Sequence, residues 1–138
     1  MRGPCGEVGF SIKPLLFMKV LILTALFFTG CQTAPRGGVT HVVVFWLKDH
    51  GNAAQRAKVI ETSENFRNIP GVLSVRAGPC LPSQRPVVDS SFDVALTMDF
   101  ASQAEMQKYL DDPRHKAAAE SVLKPLVKKF MVYDFVRE

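Results

Sequence analysis

Few side chains in this sequence are suited to acid–base chemistry, and two of them lie close together. Tyr109 and His115 fall within the single segment YLDDPRH. An imidazole titrates near neutral pH and can remove an acidic proton, whereas a phenol can donate a hydrogen bond to developing oxyanion charge. These are residue types that acid–base chemistry can use.

Structural roles are the alternative for both residues. Tyr109 shares an apolar helical stripe with Met106 and Leu110, where a tyrosine usually belongs to the core and its hydroxyl is satisfied nearby. His115 follows an Asp-Pro pair, which is typical of an N-cap and a first helical residue. It can therefore bond a neighbouring carbonyl or carboxylate at the helix start. From the residues alone we favour these structural roles.

Metal binding is a further alternative for the polar residues. His41, His115, Asp93 and Asp112 could converge in the fold, but no two of them have a recognised ligand spacing. His50 lies in the polar segment KDHGN and is expected to be solvated. Phosphate-loop, Gly-x-Ser-x-Gly and Cys-His motifs are absent from the sequence. The sequence therefore predicts neither a metal site nor a cofactor.

Size and charge limit the number of domains and the kind of partner. The 138 residues are 47% hydrophobic and 22% charged, which suits one domain with an appendage. After Cys31, 14 Lys and Arg nearly balance 12 Asp and Glu. The basic residues are scattered among acids and lack interleaved aromatic residues, which argues against binding to nucleic acid.

An apolar run near the N-terminus indicates export. Residues 20–28, VLILTALFF, have the length of a signal-peptide core and are shorter than the roughly 20 residues of a membrane-spanning helix. The following FTGC resembles the lipobox of bacterial lipoproteins, in which the cysteine is acylated, although Phe28 replaces the usual Leu. We expect residues 1–31 to be a signal peptide with Cys31 lipidated, which anchors the protein at a membrane of the cell envelope, facing the periplasm or exterior. An ordinary export signal with an incidental cysteine is the alternative.

Met18 is a second candidate for the start of translation. The segment MKVLILTALFFTGC is a complete short signal by itself, and an extended N-terminal region beginning at Met1 is the alternative. With a start at Met18 and acylation of Cys31, Cys80 is the cysteine that remains, and we expect it to be buried or half-buried and not catalytic. Residues 32–38, QTAPRGG, have the composition of a flexible tether.

Four segments have the composition or the two-residue alternation of strands, and they must position the polar residues. They are residues 39–47, 72–77, 91–100 and 130–136. In the first and last strands both alternating sets are largely apolar, which predicts burial on both faces. The proline-rich residues 78–86 are expected to form a loop.

Helices are predicted between these strands. The first, residues 52–68, is expected to face the sheet through one stripe. This stripe is Ala53, Ala57 and Ile60. The sequence SQAE from Ser102 is a capping box that opens a second helix, and a third helical segment runs from the Asp-Pro pair to about Lys124. The order is β-α-β-β-α-β, a ferredoxin-like α+β fold with helices on one face of a four-stranded antiparallel sheet. A second copy, in a two-fold homodimer, would cover the other face.

Four segments, in order, also resemble those of a known family. HVVVFWLK resembles its opening strand with a leading histidine, IPGVLSV its turn into the second strand, YLDDPRH its Tyr-Leu-x-x-Pro-x-His signature, and VYDF its closing strand. From His41 to Glu138 the chain is therefore similar to the stress-responsive dimeric A/B-barrel (Dabb) domain. The resemblance implies that residues 39–138 form a dimeric α+β barrel. The family includes a plant polyketide cyclase and stress-associated proteins without an established reaction.

Resemblance to the cyclase implies that His115 is a general base and that Tyr109 orients the substrate carbonyl for aldol closure. His41 matches a family position, and Asp93 and Asp112 stand where the cyclase has further pocket histidines. Two hypotheses follow. The first is a lipid-anchored homodimer that is stress-associated or binds a small apolar molecule. The second is a cofactor-free enzyme acting on a polyketide or aromatic substrate, which requires an open cavity that both residues face. We favour the first.

Overall fold

The computed structural model describes residues 37–138. The expected signal peptide with Met18 and Cys31, and most of the expected tether, lie outside these residues. The strands of the described part are β1 (Val39–Leu47), β2 (Val72–Pro79), β3 (Val94–Phe100) and β4 (Val127–Val136). The helices are α1 (Ala53–Asn65), which is followed by a 3-10 turn (Phe66–Asn68), α2 (Gln103–Asp111), α3 (Pro113–Ala118), which continues through a π-helical turn (Ala119–Leu123), and α4 (Lys124–Leu126).

The four strands form one antiparallel sheet in the order β2-β3-β1-β4. This confirms the predicted ferredoxin-like α+β fold, with β1 in a central position and β4 at an edge. The other edge strand, β2, extends beyond the predicted end at Ala77 and includes Pro79. Proline is tolerated there because an edge strand need not donate every N–H to a neighbour.

The core lies between the helices and one face of the sheet. Alternate residues of β1 and β3 point to this face and are buried. They are Val39, His41, Val43, Phe45, Leu47, Val94, Leu96, Met98 and Phe100. The whole core cluster lies within residues 39–127. The described domain therefore carries its own core.

The buried face of α1 differs from the predicted one. Val59 and Ser63 are fully buried, and Phe66 continues the same stripe one turn later. Ile60 is partly buried against the core, as predicted. The prediction is wrong for the two other residues of the stripe, which are the exposed Ala53 and Ala57. Alanine is a poor indicator of the buried face because it is favourable at every position of a helix. The buried stripe was also hard to recognise because one of its residues, Ser63, is polar.

Two strands begin at residues other than those predicted. β3 starts at Val94, where its pairing with β1 ends, and not at Ser91. β4 starts at Val127, directly after α4, and not at Phe130. Two lysines follow Val127, and lysine is depleted in strands. The composition of this segment therefore did not indicate that β4 begins before Phe130.

The corner between α2 and α3 is fixed by the predicted caps. The Ser102 hydroxyl accepts the N–H of Glu105 at 3.3 Å at the start of α2. The Asp112 carboxylate accepts the N–H of Arg114 at 2.8 Å at the start of α3. As predicted, Tyr109 therefore lies in the last turn of α2 and His115 in the first turn of α3.

The described helices pack against one face of the sheet, and the centre of the opposite face is apolar. The apolar residues of that face on β1 and β4 are Val42, Val44, Trp46, Met131, Tyr133 and Phe135. Those of β4 are exposed and those of β1 are half-buried. Among residues 37–138 there is no helix with the length and apolar character needed to cross a membrane.

Candidate functional site

A cavity of about 700 Å³ lies between β1, β4 and the helical segment from α3 to α4. Its wall is mainly apolar and includes Val43, Phe45, Phe66, Leu123, Phe130 and Val132. The cavity is open because Phe130 and Val132 on β4 remain exposed beside the helices. Its volume is in the range of small-molecule sites in proteins, about 300 to 1,000 Å³.

Three of the predicted site residues line this cavity: His41, Tyr109 and His115. The ring centroids of Tyr109 and His115 are 4.5 Å apart, and those of Tyr109 and His41 are 6.3 Å apart. The β1 strand supplies His41, while the α2–α3 corner supplies the other two. The fold thus gathers two imidazoles and one phenol at one end of the cavity.

Tyr109 is almost fully enclosed, with 1% of its surface exposed. Its ring packs against Phe66 and Phe100 at centroid distances of 5.7 and 5.3 Å. Burial raises the pKa of Tyr109, and no hydrogen bond of its hydroxyl to a described residue opposes this effect. The phenol therefore stays protonated at neutral pH. It can donate a hydrogen bond to a molecule in the cavity.

His115 is oriented by the backbone. Its Nδ1 lies 3.2 Å from the carbonyl oxygen of Leu110, so the carbonyl bond predicted for a structural histidine is present. When Nδ1 donates to this carbonyl, Nε2 carries a lone pair. Burial lowers the pKa of His115 despite the carbonyl bond, so the neutral imidazole prevails at pH 7. The same contact that fixes the ring thus prepares it to accept a proton.

His41 is oriented by a carboxylate on the neighbouring strand. Its Nδ1 lies 2.6 Å from Oδ1 of Asp134, the residue that pairs with it in the β1–β4 register. An Nδ1–H bond to a carboxylate fixes the orientation of the imidazole ring. Sequence reasoning missed Asp134. The acid in VYDF was a signal, but its meaning depends on the register of two distant strands.

The sequence matches the family described as the Stress responsive A/B Barrel Domain over residues 39–137. The chain belongs to this family. A structure of a Dabb family protein with a ferredoxin-like fold from Mesorhizobium loti MAFF303099 is 28% identical, with a TM-score of 0.61, covering 75% of this chain and 99% of that chain. No curated protein matches the sequence.

Two further structures share the fold at lower identity. A dimeric ferredoxin-like protein of unknown function from Thermobifida fusca YX is 21% identical, with a TM-score of 0.61, covering 76% of this chain and 95% of that chain. The hydroxynitrile lyase from Passiflora edulis is 22% identical, also with a TM-score of 0.61, covering 75% of this chain and 96% of that chain. At this identity the likenesses show the fold alone.

In this A/B barrel domain Asp93 does not line the cavity, contrary to its assignment as a pocket residue. Its carboxylate accepts the N–H groups of Leu47 and Gly51, both at 2.8 Å, and lies 3.0 Å from Nδ1 of His50. Burial raises the pKa of Asp93, but these three bonds outweigh burial and lower the pKa overall. His50 is largely exposed, as expected. Asp93 therefore fixes the loop after β1.

Asp112 also lies outside the cavity of the A/B barrel domain. It caps α3 and pairs with the guanidinium of Arg114 at 2.7 Å, and hydrogen bonding to that guanidinium lowers the pKa of Asp112 to about 2. Cys80 is half-buried and free, as expected from the sequence. Residues 37–138 contain no group of three or more His, Cys, Asp or Glu arranged to hold a metal ion.

Lysines at the far end of the cavity were also missed by sequence reasoning. Lys124 and Lys128 line this end, beside Glu120. They are close in sequence but belong to a helix and a strand. They lie together at this end of the A/B barrel cavity because the chain changes from helix to strand at Val127. Composition did not predict this change.

Proposed function

We propose that this protein is a lipid-anchored homodimer of the cell envelope that binds a small, largely apolar molecule in the cavity between α3 and β4. The observation that carries the proposal is the Tyr109 hydroxyl, which bonds no residue within 37–138 although Tyr109 lines an apolar cavity of about 700 Å³. A tyrosine of a closed core would have its hydroxyl satisfied by protein. Here a bound molecule can provide the partner.

Filling the cavity tests the binding proposal. Ala119 lines the cavity, whereas Ala117 lies on the same helical segment and is exposed. We expect the neutral apolar dye N-phenyl-1-naphthylamine to bind the domain, Ala119→Trp to abolish its fluorescence enhancement, and Ala117→Trp to preserve it. Equal binding by both variants would contradict a site in this cavity. Native mass spectrometry of gently purified protein would identify any molecule that copurifies.

The homodimer is supported by the apolar surface that the single chain leaves uncovered. Tyr133 and Phe135 of the open face are both more than half exposed, and they lie on an edge strand. Exposed apolar patches and unprotected edge strands mark interaction surfaces. Two-fold pairing is the commonest way to cover such a surface with a second copy, and the Thermobifida fusca protein of the same fold is described as dimeric.

Light scattering coupled to size-exclusion chromatography tests this assembly. We expect the domain to elute as a dimer at micromolar concentration and Tyr133→Lys to shift it to the monomer. Leu81→Lys provides the control because Leu81 is apolar and highly exposed but lies in the loop between β2 and β3. A monomeric parent domain would contradict the dimer.

The lipid anchor is supported by the sequence MKVLILTALFFTGC alone. We expect Cys31→Ser to move the protein from the membrane fraction to the soluble fraction, and Cys5→Ser to leave its partition unchanged. Replacing Met1 with Ala should not lower the protein level if translation starts at Met18. Unchanged partition of Cys31→Ser would contradict the anchor.

A cofactor-free enzyme is the second candidate, favoured by the 4.5 Å approach of the Tyr109 and His115 rings on the cavity wall. Nε2 of His115 would take a proton from a carbon next to a carbonyl, while the C–H electron pair forms an enolate whose oxygen receives the Tyr109 hydrogen bond. The enolate carbon then attacks a second carbonyl of the same molecule. The resulting alkoxide recovers the proton from His115.

Closure of heptane-2,6-dione, a simple dicarbonyl that can undergo this reaction, tests the enzyme candidate. Catalysis predicts acceleration by the domain, loss of the acceleration in His115→Ala, and a large decrease in Tyr109→Phe. His41 offers a second oriented imidazole, so His41→Ala is the comparison variant. An unchanged rate in His115→Ala would exclude it as the base.

A further inference from the structure

The cavity has two polar ends joined by an apolar wall. His41, Tyr109 and His115 occupy one end, and Lys124 and Lys128 line the other. One wall follows the helical segment from His115 to Lys124. The other follows β4 from Asp134, which pairs with His41, back to Lys128. The rise of about 1.5 Å per residue in a helix and about 3.3 Å in a strand places the ends roughly 13 to 20 Å apart.

The lysine end carries more positive than negative charge. It is lined by three lysines and one carboxylate, Glu120. Nζ of Lys124 pairs with Glu120 at 2.8 Å, and Nζ of Lys129 lies 4.5 Å from the centre of the Trp46 ring. Within residues 37–138, Lys128 has neither a carboxylate nor an aromatic ring as a partner. Its charge is thus available to a ligand.

The apolar wall between the two ends is continuous across the β1–β4 pair. Phe45 pairs with Phe130, and Val43 pairs with Val132, and all four line the cavity. Such a wall favours a hydrocarbon chain, whose burial contributes about 25 cal/mol per Å² of apolar surface. Lys128 lies two residues before Phe130, where a charged group at the end of that chain would emerge.

We propose that the cavity binds an amphipathic organic anion, with its carboxylate at Lys128 and its chain along Phe45 and Phe130 toward Tyr109. This inference rests on the proposed small-molecule binding and names the class of ligand. A chain of about ten carbons fits the shorter span, since an extended chain with carbon–carbon bonds of ~1.5 Å advances about 1.3 Å per bond. A cationic ligand would be repelled by the lysine end.

A role for Lys128 in protecting the edge strand is the alternative, since lysine on an edge strand also discourages aggregation. Calorimetric titration with decanoate and 1-decanol, both kept below the concentration at which they aggregate, separates the two roles. We expect decanoate to bind the domain about three- to tenfold more tightly than 1-decanol at low ionic strength. Screening by salt should reduce this preference.

Lys128→Gln should remove the preference for decanoate while 1-decanol still binds. Lys58→Gln is the matched control because Lys58 is an exposed lysine on α1, paired with Glu61 and outside the cavity lining. A preference that persists in Lys128→Gln, or equal affinity of the parent domain for both ligands, would overturn the anion proposal and leave small-molecule binding intact. Failure of decanoate, 1-decanol and the neutral dye to bind would overturn both.

Discussion

The two halves of the sheet differ in how completely the helices cover them. On β3 the residues that face the helices are closed off, and Met98 has no exposed surface. On β4 the residues facing the same side remain open, with Phe130 63% and Val132 38% exposed. One sheet thus supports a sealed core on one side of β1 and an open cavity on the other. The half of the sheet around β3 provides most of the stability of the fold. The half around β4 carries the groups that are free to bind a partner or ligand.

Truncating one residue in each half is the strongest test of this comparison. Met98→Ala should lower the free energy of unfolding by about 3 kcal/mol, because it leaves a cavity in a closed core. Val132→Ala on the same side of β4 should cost about 1 kcal/mol or less, because half-exposed side chains lose little burial. Urea unfolding at a fixed protein concentration measures both values. Similar losses would mean that the β4 half is as closed as the β3 half.

Asp93 sharpens the comparison because its carboxylate belongs wholly to the closed half. Asp93→Asn should lower the free energy of unfolding at pH 7 by about 2 kcal/mol, since it weakens bonds to two backbone N–H groups and to His50. The folded pKa of Asp93 is lowered from 3.8, so this stabilisation is present above pH 3.8 and is lost as the pH falls through the folded pKa.

Unfolding curves from pH 2 to 7 check the Asp93 prediction. The stability of the parent domain should fall more steeply below pH 4 than that of Asp93→Asn. Glu61→Gln, a change at an exposed residue of α1, should reproduce the parent profile. Parallel acid profiles for the parent and Asp93→Asn would show that the carboxylate contributes nothing as an anion.

Features set by local sequence were more predictable than features set by the pairing of distant segments. The Asp-Pro pair and Ser102 fixed the ends of two adjacent helices through bonds that span a few residues, and this was sufficient to place Tyr109 and His115. Asp134 and Lys128 were not predicted, because their roles depend on the pairing of β4 with β1 across about 90 residues of chain. The orientation of Asp93 was not predicted for a similar reason: its carboxylate bonds backbone N–H groups at the end of β1 and in the loop that follows.

His115 provides a smaller test, in the open half. Burial keeps its folded pKa below the ordinary value of 6.5, so the unfolded chain binds a proton first as the pH falls. Protonation of His115 should therefore lower the stability of the domain from about pH 6.5 down to the folded pKa of His115, and this contribution should not grow further below it. Thermal unfolding of His115→Gln should show a flatter profile between pH 7 and 5, whereas Lys58→Gln, at an exposed residue of α1, should retain the parent slope in this range. A parent profile that is flat in this range would contradict the burial of a neutral imidazole.

Tyr109→Phe should have the smallest effect on stability and a clear effect on binding. Removing a buried hydroxyl normally costs about 1 kcal/mol, because its partner is left unsatisfied. The Tyr109 hydroxyl has no partner among the described residues, so the free energy of unfolding should change by about 0.5 kcal/mol or less. A copurifying molecule that bonds this hydroxyl should nevertheless be lost or weakened, as native mass spectrometry would report. A large loss of stability without any effect on binding would instead make Tyr109 part of the closed core. Tyr109 would then belong to the half of the molecule around β3 and not to the cavity.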